Sequence, residues 1–97
     1  MSVSAAEKTR SPFGTVVRSA AGRDRKREFI VIGERDGLAL IADGSLHRVH
    51  SPKAKNPRHL KQLATLDESE AKRLRDSLTD ETLQDILKHA ICRTQTD

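Results

Sequence analysis

The chain has 97 residues and a formal net charge of +4; 33% are charged, 35% are hydrophobic, and the aromatics are two phenylalanines. So few rings exclude a ligand pocket walled by aromatics and a base-stacking platform of several aromatics. A single cysteine, Cys92, excludes an internal disulfide and a multi-thiolate metal site.

No apolar run approaches the length of a membrane span. The first residues lack the apolar stretch of a signal peptide, so the expected location is the cytoplasm. Charge is unevenly spread. Residues 1–63 hold 13 Lys and Arg against 6 Asp and Glu, a net of +7; residues 64–97 hold 5 against 8, a net of −3. Such a split suggests two segments with different roles, and the basic balance points towards nucleic acid or an anionic surface.

Residues 1–12 are small and polar without periodicity and read as a disordered tail. Residues 13–63 read as β structure. Phe13–Ser19 is rich in β-branched residues. Glu28–Glu34 contains an unbroken apolar run, Phe29 to Ile32, and Asp36-Gly37 follows as a hairpin signal. Leu38–Asp43 is a second apolar run, ended by Asp43-Gly44. Ser45–His50 alternates loosely and reads as a fourth strand. Residues 51–63 form an extended basic segment that closes with either a short fifth strand or a 3₁₀ turn near His59–Leu63.

Residues 64–97 read as an acidic helical hairpin. Two frames fit a capping box, Thr65…Glu68 and Asp67…Glu70. Ala71, Leu74 and Leu78 lie at helical spacing. Thr79 or Asp80 caps the second helix, whose apolar stripe is Leu83, Ile86, Leu87, Ala90 and Ile91. Cys92 follows this stripe and reads as a partly buried packing thiol. The two central apolar runs do not alternate with polar residues, which implies burial on both faces. The helical hairpin is expected to cover their outer side, with a homodimer through that patch as the alternative.

Gly22, Arg23, Arg25, Lys26 and Arg27 lie in the turn between the first two strands. Four cations within five positions present donors and charge to phosphate oxygens. No glycine-rich phosphate loop, serine elbow or carboxylate pair in a pocket context appears, so no catalytic residue, metal or other cofactor is expected. His47 and His50 on a strand would point to opposite faces, which places them at a barrel rim rather than on a metal.

From Gly14 to about Leu63 the chain resembles a KOW domain. More narrowly it resembles the KOW-containing RNA-binding group akin to certain archaeal and eukaryotic large-subunit ribosomal proteins, which has small bacterial members. The residues that carry the resemblance are Gly14-x-Val16-Val17, Ser19 to Arg25, Phe29 to Ile32, Leu40 to Gly44, Leu46 to Val49, and Pro52 to Leu60. Lys26 stands where the motif has glycine, and Phe29 replaces a later glycine as a core residue. The resemblance implies a mainly β fold, a five-stranded SH3-like barrel, here with the C-terminal helical hairpin added. It implies a cytoplasmic, ribosome-associated RNA-binding protein of translation, with ribosomal RNA as partner, ribosomal proteins as possible neighbours, and no membrane. The RNA face it implies comprises Arg18, Gly22, Arg23, Arg25, Lys26, Arg27 and Arg48, with a second strip at Lys53, Lys55, Arg58 and His59. The rival expectation is an adaptor of the transcription or translation machinery, binding a protein such as RNA polymerase. The chain is expected to be a monomer.

Overall fold

The computed structural model describes residues 13–20 and 27–94. Five strands form one antiparallel sheet: β1 (Thr15–Ser19), β2 (Glu28–Arg35), β3 (Leu38–Ala42), β4 (Lys53–Lys55) and β5 (Leu60–Thr65). Their order is β4-β3-β2-β1-β5, a meander whose last strand returns to pair with the first. Of the two alternatives expected at His59–Leu63, the strand forms there as β5, and a 3₁₀ turn precedes it at Pro57–His59. Two helices follow, α1 (Glu68–Asp76) and α2 (Asp80–Thr94). The fold is thus mainly β with a small helical layer.

The β2–β3 hairpin forms where Asp36-Gly37 placed it. Arg35 pairs with Leu38, which leaves a two-residue turn. Asp36 has φ +50° and Gly37 φ +82°, the doubly left-handed turn that matches strand twist.

Alternation along the strands sorts the core into two clusters. Val16, Ile30 and Ala42 face the helices and pack with Leu66, Leu74, Leu83, Ile86, Leu87 and Ala90. Val17, Phe29, Val31, Ala39 and Ile41 form a separate buried cluster on the other face, joined by Leu60. Leu60 on β5 and Ile41 on β3 lie three strands apart in sheet order yet share it. The sheet therefore curls over this cluster like a small barrel. Burial on both faces extends to β1 as well as the two expected strands. The helices occupy the patch that a strand-mediated homodimer would have used.

Two expectations are corrected here. Ser45–His50 is a compact loop, not a strand. The Asp43 carboxylate explains why: its Oδ1 accepts from the backbone N–H of Ser45 and of His47, both at 2.9 Å, and this holds the chain in a turn. His47 and His50 consequently do not flank a strand; the His47 ring packs on Phe29, centroids 5.6 Å apart. The fourth strand comes instead from Lys53–Lys55, in the basic segment. A short edge strand between Pro52 and Pro57, bearing two lysines, is well protected against further pairing.

The helices start at residues legible in the sequence. Asp67 and Glu70 make both halves of a capping box: Glu70 N–H donates to Asp67 Oδ1 at 2.7 Å, and Asp67 N–H donates to Glu70 Oε1 at 3.3 Å. The Thr65 frame is not used, because β5 runs through Thr65. Thr79 caps α2 by accepting from Thr82 N–H at 3.1 Å. Asp80 instead reaches across to accept from Val49 N–H at 2.9 Å. Leu78 lies in the turn between the helices and is exposed, outside the stripe assigned to it. Cys92 is exposed rather than partly buried. At 3.6 residues per turn it lies about 180° around the helix from Leu83, so it cannot extend the buried stripe.

Candidate nucleic-acid interface

Strand register gathers five basic residues, Arg18, Arg27, Lys53, Arg58 and Lys61, at one end of the sheet. Arg18 pairs with Glu28 across β1–β2 and with Lys61 across β1–β5. Ile30 pairs with Ala42, and Ile41 with Lys53. The end of β1, the start of β2, the end of β3 and the starts of β4 and β5 therefore lie side by side. Ala20 N–H donates to the His59 carbonyl at 2.8 Å, which seats the 3₁₀ turn against the end of β1. Arg58 and His59 are thereby brought next to the β1–β2 connection, although some forty positions separate them in the chain.

Asn56 builds this turn. Its side chain accepts from Arg58 N–H at 3.0 Å, and Pro57 supplies the fixed φ of a first helical position. Arg58 and His59 are exposed on it. Lys61, which the sequence reading did not select, is exposed two positions beyond His59, opposite Arg18.

Cations at this end differ in how they are held. Arg18 donates through Nε and Nη2 to Glu28 Oε2, at 3.2 and 2.8 Å. Arg27 Nη2 lies 3.4 Å from Asp43 Oδ2. Both pairs are partly solvated and contribute little to stability, but they fix where each guanidinium sits. Arg48, Arg58 and Lys61 are exposed and have no acidic partner among the described residues. Lys53 is exposed at the start of edge strand β4, whereas Lys55, half-buried and paired with Ala39, lies towards the β2–β3 hairpin. Gly22, Arg23, Arg25 and Lys26 lie outside the described residues.

Chemically, this end of the sheet offers guanidinium forks and ammonium groups to an anion; the buried carboxylate beside them, Asp43, is engaged by the backbone N–H groups of Ser45 and His47 and by Arg27. Among the described residues no helix is long and apolar enough to cross a membrane. Comparison of the sequence with protein-family models and with curated proteins gives no match.

Proposed function

We propose that this chain binds RNA through the basic end of its sheet, using an SH3-like barrel of the KOW type, and that ribosomal RNA is its partner. One observation carries the reading. The β1–β2 connection, which holds Arg23, Arg25, Lys26 and Arg27 in sequence, springs from strand ends that abut Arg58, His59 and Lys61. Arg18 and Arg27, which flank that connection, thus share one end of the sheet with Arg58, His59 and Lys61, distant in the chain, as contact with a polyanion backbone requires. The order β4-β3-β2-β1-β5 with a 3₁₀ turn before β5 supports the barrel assignment.

Arginines fork onto phosphate oxygens, whereas lysines act as point charges. With two phenylalanines, one of them fully buried, recognition rests on shape and backbone rather than on stacked rings. Roughly four to six phosphate contacts would give a log–log salt slope of about −3 to −5. Titration of fluorescent RNA across a salt series tests this. The triple variant Arg23→Ala/Arg25→Ala/Arg27→Ala should lose most of the affinity and flatten the slope. Binding indifferent to salt and to these substitutions would sink the proposal.

A further inference from the structure

A groove of about 560 Å³ runs between α2 and the start of β2, open on one side. Its α2 wall has two rows at four-residue spacing. Leu87 and Ile91 make an apolar row, and Gln84, Lys88 and Cys92 make a polar one beside it. The facing wall is Arg27, Glu28 and Asp43. Each carboxylate there is already engaged. Glu28 holds Arg18, while Asp43 accepts two backbone N–H groups through Oδ1 and faces Arg27 through Oδ2. Lys88 has no acidic partner among the described residues, and the Arg27 side chain is 50% exposed. With Glu28 offset by Arg18 and Asp43 by Arg27, Lys88 carries the net positive charge left to a ligand, and Arg27 keeps further N–H donors. Gln84 Nε2 donates to the Gly44 carbonyl, so its Oε1 remains as an acceptor.

An aliphatic floor, cations at the rim and an acceptor at the side match one flat heterocycle carrying a phosphate. The volume falls within the range of small-ligand sites and leaves no room for a duplex. The groove also opens where the β1–β2 connection joins β2. We propose that it is a subsite for one unpaired RNA nucleotide, its base lying on Leu87 and Ile91 and its phosphate held by Lys88 and Arg27. This assignment rests on the RNA-binding reading above. It makes the second helix of the acidic segment part of the RNA face.

Cys92 lines the groove, is exposed, and is the only thiol in the chain, so it reports occupancy directly. Alkylation of Cys92 by iodoacetamide would be timed with an RNA hairpin bearing an unpaired loop, and with a blunt duplex of the same stem. The hairpin should slow alkylation several-fold and the duplex should not. Lys88→Gln should weaken hairpin binding several-fold and reduce the salt slope by about 1, whereas Lys72→Gln on α1 should leave both unchanged. A hairpin that binds while Cys92 alkylates at its free rate and Lys88→Gln has no effect overturns the subsite but leaves RNA binding standing. Equal protection by the duplex overturns the unpaired nucleotide. Failure of the wild-type chain to bind either RNA overturns both readings.

Discussion

Gly44 and Gly37 offer a matched pair for testing how the helices are tied to the sheet. Their φ angles are +83° and +82°, so alanine meets the same backbone strain at each, about 1 kcal/mol. The reduced freedom of the unfolded chain is also common to both. Their surroundings differ. A Cβ at Gly37 would meet nothing within 4 Å, whereas one at Gly44 would lie 2.7 Å from the Asp80 carbonyl oxygen and from Gln84 Cγ. Gln84 can swing away, but the Asp80 carbonyl belongs to the first turn of α2. Relief requires the loop to lift from the helix, straining the Val49–Asp80 and Gly44–Gln84 hydrogen bonds. Overpacking of this kind costs about 1–3 kcal/mol, and each weakened hydrogen bond about 1. Gly44→Ala should therefore destabilise the chain by about 2 kcal/mol more than Gly37→Ala. In a domain of this size that separates the melting temperatures by roughly 10 °C. Urea titration of both variants at one temperature, with comparison of midpoints at equal m, reads the difference. Equal midpoints would refute the close seating of this loop on α2.

Two further outcomes follow from the packing. Truncation after Thr65 would expose Val16 and Ile30, both fully buried against the helices, and lose about 1.5–3 kcal/mol for each, a large share of a small domain's stability. The truncated chain should show no cooperative thermal transition, and a soluble monomer with an unchanged melting temperature would contradict the double-sided core. Asp67→Ala should cost about 1 kcal/mol by removing the cap of α1, whereas Thr65→Ala should stay within about 0.5; chemical denaturation distinguishes them, and the reverse ranking would reject the observed frame.

Local chemistry made parts of this fold legible. The unbroken run Phe29-Ile30-Val31-Ile32 announced a strand buried on both faces, and Asp36-Gly37 announced its hairpin. The Asp67…Glu70 box and the Leu83–Ile91 stripe announced the helices. Ser45–His50 misled because its loose alternation imitates a strand, while the Asp43 side chain, invisible to periodicity, captures its N–H groups. Lys53–Lys55 escaped notice because an edge strand of lysines between prolines has little β propensity of its own; pairing with Ala39, Leu40 and Ile41 makes it a strand. At the basic end, residue type was readable but partnership was not. Arg18–Glu28 and Arg27–Asp43 are brought together by sheet register across 10 and 16 positions, and no local rule yields them. Lys88 was hidden within an acidic segment whose net charge obscured the direction of one side chain.

RNA–protein crosslinking with peptide mapping tests the central claim most directly. Ultraviolet crosslinks to bound ribosomal RNA should fall in the peptides spanning residues 18–28 and 53–61, at the end of the sheet where the basic residues meet. Crosslinks confined to α1 and the Asp36-Gly37 turn, at positions remote from that end, would contradict it.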